Sequence, residues 1–176
     1  AQDPKRFAVE AERFKGLDPT YIRAILFGLT EALRQGRTFD WEPVLKLCEW
    51  VLSQPREIPG RKVDVMKADP DWSWTRKAIA YLLFTGLEEC SWAIPIHFRE
   101  KIWAILRPLT DDPDPTPEEE QRYSGSKMDP VTLSINTTRG VAMHAVIHYA
   151  LWVRRHAGDQ SAGDFSEMPE VREVLE

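Results

Sequence analysis

The chain has 176 residues, 43% of them hydrophobic and 29% charged, with a formal net charge of −5. This is the length and balance of one globular domain, which buries roughly 70% of the surface its unfolded chain exposes. The acidic balance excludes general nucleic-acid binding, which needs dense Lys/Arg contacts to phosphate, and offers no attraction to an anionic membrane.

Residues 4–15 open the helical pattern. Asp3 is placed to cap this segment and Pro4 stands at a first helical position. Phe7, Ala11 and Phe14 recur at helical spacing, and Gly16 ends it. Asp18-Pro19 repeats the signal for a second helix, with Ile22, Ile25, Leu26, Leu29 and Leu33 as one apolar stripe and Gly36 as its stop. Asp40 caps a third, whose buried face is Val44, Leu47, Cys48, Val51 and Leu52. A polar linker is expected over 53–68.

Asp69-Pro70 predicts the start of a fourth helix that reaches about Glu89, with Ile79, Leu82, Leu83 and Leu87 inward. Ile94-Pro95 opens a fifth, lined by Ile102, Ile105, Leu106 and Leu109 and ended by Pro108. Residues 108–130 read as an acidic, proline-rich solvated loop holding a short helix from Pro117 to Tyr123, with a break at Gly125 and Ser126. After Asp129-Pro130, a cluster of Ser134, Asn136, Thr137 and Thr138 precedes the last full helix, and Ser134 is the expected cap. Val141 to Val153 is apolar on nearly every side, which predicts a central helix. It falls short of the roughly 20 residues a bilayer requires. A linker over 157–168 leads to one more helix start at Pro169.

No strand pattern persists, so the expected class is all-α: antiparallel helix pairs stacked as an irregular superhelix, or a compact bundle. The Asp18-Pro19 and Asp69-Pro70 openings, the helix lengths and the start at Pro169-Glu-Val-Arg-Glu-Val-Leu175 resemble HEAT or armadillo-type helical repeats. That resemblance implies a non-catalytic surface for protein contacts.

The first residues, Ala1-Gln2-Asp3-Pro4, include neither an initiator Met nor a signal peptide, and the last helix has scarcely begun when the sequence stops. A single domain over 1–176, cut from a larger, bacterial-looking polypeptide, is expected. Cys48 and Cys90 form no Cys-x-x-Cys pair and lie in apolar stretches, as reduced core thiols of a cytoplasmic protein do.

Three clusters could carry chemistry. His144 and His148 are four apart and share a helix face, as metal ligands can. Ala145 stands where a metalloprotease helix has its general base, and a third ligand would have to come from His97 or the Glu88-Glu89 pair. The favoured reading is two core histidines with no metal. Asn136 and Arg139, at a helix start, could hold an anion or a partner's carboxylate; the favoured reading is a capping cluster with Arg139 in a structural ion pair. Trp72 and Trp74 point in different directions at a helix start, so one is expected in the core and the other on the linker or in a binding patch. The chain is therefore expected to be an interaction or scaffold segment without cofactor. Its partners would be other domains of the parent polypeptide or a separate protein, not nucleic acid or membrane. An apolar patch is expected beside the last helix. The alternative is a metal-dependent hydrolase or small-ligand-binding regulatory domain centred on His144 and His148.

Overall fold

The computed structural model describes residues 3–88, 93–123, 130–157 and 168–175. Among them are nine α-helices and no strand: α1 (Pro4–Val9), α2 (Pro19–Arg34), α3 (Trp41–Ser53), α4 (Ser73–Gly86), α5 (Arg99–Thr110), α6 (Pro117–Tyr123), α7 (Pro130–Asn136), α8 (Thr138–Ala157) and α9 (Pro169–Leu175). Glu89, Cys90, Gly125, Ser126, Asp129 and the linker at 158–167 lie outside the described residues. The class is all-α.

Three of the expected caps form as read. The carboxylates of Asp3, Asp18 and Asp40 accept from the backbone N–H groups of Arg6, Thr20 and Glu42 at 3.1, 3.0 and 3.0 Å. Each satisfies an amide that a first helical turn leaves without a partner. Gly16 and Gly36 take φ of 91° and 72°, a left-handed backbone that side chains disfavour, and the chain turns there.

Other boundaries differ from the sequence reading. The first segment is α1 followed by a 3-10 turn over Ala11–Phe14, broken at Glu10. Helix α4 begins at Ser73 instead of Asp69-Pro70. Asp69 is buried, and its two oxygens accept from Arg23 Nε and Nη2 at 2.7 and 2.8 Å. A bidentate charge-assisted pair outweighs a cap, and Asp71 takes over by accepting from Ser73 N–H at 2.7 Å. Helix α5 follows a 3-10 turn at Ile96–Phe98 and runs past Pro108 to Thr110. Pro108 has no N–H for Ala104 O, but Ala104 is exposed and water can serve that carbonyl.

Ser134 is not the cap of the last full helix, because it lies inside α7; its side chain is outside the described set. The cap comes from a distant residue. Asp114 Oδ2 accepts from both the N–H and the hydroxyl of Thr138 at 2.8 Å, and Asp114 O accepts from Arg139 N–H at 3.0 Å.

The expected solvated loop is also anchored. Asp112 is 1% exposed and accepts from Arg76 Nε at 2.7 Å, with Arg56 Nε at 3.7 Å. A buried carboxylate is tolerable only when paired in this way. The 53–68 linker is pinned as well: Arg61 meets Asp18 at 2.6 Å and donates to Asp69 O at 3.0 Å.

Helix α4 packs against α2 and α8, α8 against α5 and α7, and α3 against α5 and the 3-10 turn after α1. The core between them holds Leu26, Leu29, Leu33, Leu45, Leu47, Ile79, Leu82, Leu83 and Trp152, all fully buried. Helix α8 is less central than its composition predicts, since Ile147 and Leu151 remain exposed on one side. Met168, just before α9, and Val171 within it are buried.

Candidate functional site

Residues 144 and 148 share a face of α8, as four-residue spacing requires. The His148 ring lies against Phe84 of α4, centroids 4.3 Å apart. Burial pushes its pKa below the ordinary histidine value; Glu88 opposes that shift, while Arg155 and His144 add to it. The neutral imidazole is thereby favoured. His97 stacks on its neighbour Phe98 at 4.1 Å. Among the described residues no three His, Cys, Asp or Glu side chains gather as a metal would need.

Asn136 closes α7. Its side chain donates to Thr132 O at 2.7 Å, and its own carbonyl accepts from Lys77 Nζ at 3.0 Å. The neighbouring carbonyl of Ile135 accepts from Tyr81 OH. Arg139 pairs with Glu120 and donates to Pro115 O at 3.3 Å. Asn136 thus ties α7 to α4, and Arg139 ties α6 and Pro115 to α8.

Trp72 and Trp74 part as their spacing predicts. Trp72 is buried edge-on to Trp50 at 5.5 Å, and its backbone N–H donates to Arg56 O at 3.0 Å. Trp74 is 36% exposed, with the Arg23 guanidinium 5.4 Å from its ring centre. These residues lie at the start of α4, and the structure does not bring the three clusters into one cleft.

Two concavities were not read from the sequence. One, of about 440 Å³, lies between α5, α8 and α9 and is lined by Arg99, Glu100, Trp103, Ala104, Tyr149 and Glu170. Glu170 Oε1 there accepts from Arg99 Nη2 at 2.7 Å, Arg99 Nε at 3.2 Å and Tyr149 OH at 3.1 Å. Burial tends to raise the Glu170 pKa, but these donors and its own backbone N–H prevail and hold it below the usual range. Burial also raises the Tyr149 phenol, which stays protonated and donating.

The other is an apolar groove of about 580 Å³ lined by Phe7, Phe14, Leu17, Tyr21, Ala24, Ile25 and Gly28. It lies over α1 and α2. Its signal was present in the sequence. Tyr21, Ala24, Ile25 and Gly28 recur at intervals of three and four, forming a second stripe on α2 beside the one that meets the core.

The chain matches no family model, no curated protein and no solved structure.

Proposed function

We propose that this chain is a non-catalytic interaction segment of a larger multidomain polypeptide, built as a HEAT-like or armadillo-like helical array. The observation that carries the reading is the order of helix contacts. Helices α2, α4 and α8 touch in sequence, and α3 and α5 touch in sequence beside them. Two parallel runs of this kind are what stacked helix pairs produce, since each pair buries its apolar faces on the next. The polar groups that the sequence singled out support it further: Asn136 and Arg139 serve contacts within the fold, as do Asp112 and Asp114 of the acidic stretch.

The reading is tested by native-state hydrogen exchange on the chain. In an array, energy is shared between neighbours only. Leu26→Ala, at the buried face of α2, should strip protection from α2 and its neighbour α4 while α5 keeps its own. Equal loss from every helix would identify a single cooperative bundle and overturn the array.

A further inference from the structure

We propose that Arg99 and Tyr149 form a receptor for a small monocarboxylate with an aromatic body, and that Glu170 is a tethered occupant which such an acid displaces, releasing α9.

The seat already holds a carboxylate. Arg99 opens α5 and Tyr149 lies in α8. Arg99 Nε, Arg99 Nη2 and Tyr149 OH converge on Glu170 at 3.2, 2.7 and 3.1 Å. Tyr149 is 1% exposed, so packing fixes its hydroxyl before any carboxylate arrives. Donors preset on two helices cost a ligand little ordering when it binds.

Glu170 fills this seat incompletely. All of those donors meet its Oε1, and Oε2 receives none of them. Arg23 shows what a guanidinium of this chain does with a well-placed partner: its Nε and Nη2 take separate oxygens of Asp69 at 2.7 and 2.8 Å. Two parallel bonds of that kind are the strong form of the pair. Glu170 is carried on a short helix that must also bury Val171 and bring Glu173 within 3.3 Å of Arg107. An untethered acid is free of those constraints and can present both oxygens to Arg99.

Room for the rest of the acid adjoins the seat. The cavity of about 440 Å³ is of the size that small ligands occupy. Trp103 lines it, and its ring rests on Tyr149 with centroids 5.2 Å apart, which makes a rigid flat wall for an aromatic body. Glu100 lines the same cavity and opposes a second negative charge, so a monocarboxylate suits it better than phosphate or a dicarboxylate. The Arg99 side chain is 37% exposed and can be approached from solvent.

Release of α9 follows from its size. Seven residues are too few to hold a helix alone in water, and Glu170 supplies its polar contacts to both α5 and α8. Tethering gives Glu170 a high effective concentration, so the chain binds the acid weakly until that advantage is removed.

The test titrates phenylacetate into the chain, followed by the NMR signal of the Trp103 indole N–H and by hydrogen exchange across α9. Excess acid should shift the indole signal saturably and speed exchange in α9 several-fold, while α4 keeps its protection. Glu170→Ala should lower the Kd for phenylacetate several-fold, and Arg99→Gln should abolish the shift with α4 still protected. The neutral 2-phenylethanol and inorganic phosphate should each leave the signal in place. Silence of the wild-type chain in excess phenylacetate would overturn the proposal, as would an equal response to the alcohol or to phosphate, or unaltered binding by Arg99→Gln. A saturable shift with α9 protection intact would also overturn it, because the acid would then sit beside Glu170 without displacing it.

Discussion

Gly86 faces the indole of Trp41 so closely that a Cβ on the glycine would stand 2.6 Å from Cη2 and 2.8 Å from Cζ2. Trp41 is 4% exposed, and Ile94 closes the space from another direction at 2.9 Å. The ring is held and cannot swing aside as a flexible chain end would. Alanine ordinarily favours a helix over glycine, but overpacking dominates at this site. Gly86→Ala should cost about 1–3 kcal/mol in denaturant unfolding. Adding Trp41→Phe, which removes the clashing atoms, should cost less than the sum of the two single changes.

Asp112 is the buried anion between Arg76 and Arg56. Removing it leaves guanidinium groups with little access to water, Arg76 having 12% side-chain exposure. Asp112→Ala should therefore cost about 3 kcal/mol or more. Replacing Glu120, the exposed partner of Arg139, should change stability by less than about 1 kcal/mol. Thermal melts of the two variants side by side would check the contrast.

Acidification should release α9. The Glu170 carboxyl titrates below its ordinary value in the fold, so the unfolded chain binds its proton first. The stability it contributes is complete above the usual glutamate pKa and is lost as pH falls through the lower, folded value. Trp103 lines the same cavity, and its fluorescence should follow α9 leaving. Glu170→Gln should flatten that acid transition.

His148 should titrate below the ordinary histidine range in an NMR pH series. Its depressed folded value means that the neutral ring suits the fold; this contribution is present above the ordinary histidine pKa and fades as pH falls through the folded one. Glu88→Gln removes the carboxylate that favours the imidazolium and should move the midpoint lower still. Addition of Zn²⁺ that shifted the His144 and His148 resonances together at one equivalent would instead favour the metal-binding alternative.

Cys48 should resist alkylation in the native state. Burial, with a smaller contribution from the Glu49 charge, pushes its thiol up to about 12, and no thiolate is accessible at neutral pH. Iodoacetamide labelling of the Cys48 peptide, followed by mass spectrometry, should keep pace with unfolding alone.

How much of this could be read beforehand depends on the range over which each residue acts. Asp3, Asp18 and Asp40 bond within two or three residues, and local sequence suffices to place them. Asp69, Asp112 and Asp114 look the same in sequence but find partners 46, 36 and 24 positions away. Those contacts exist only once helices have packed, which is why the start of α4 and the loop after α5 were misread. The shared face of His144 and His148 was legible from spacing; the aromatic ring under His148 was not, because Phe84 comes from another helix. The second stripe on α2 was legible in principle, but it was obscured by the more strongly apolar stripe next to it.

The grip of Asp114 on Thr138 has a consequence for how this chain tolerates change. Two points 24 residues apart are tied together at hydrogen-bond distance, and Asp112 roots the same stretch on Arg76 just before it. The carbonyls of Ile135 and Asn136 between them are held in turn by Tyr81 and Lys77 of α4, so an engineer who grafts a foreign sequence there would have to keep those moorings for α4, α5 and α8 to meet as they do.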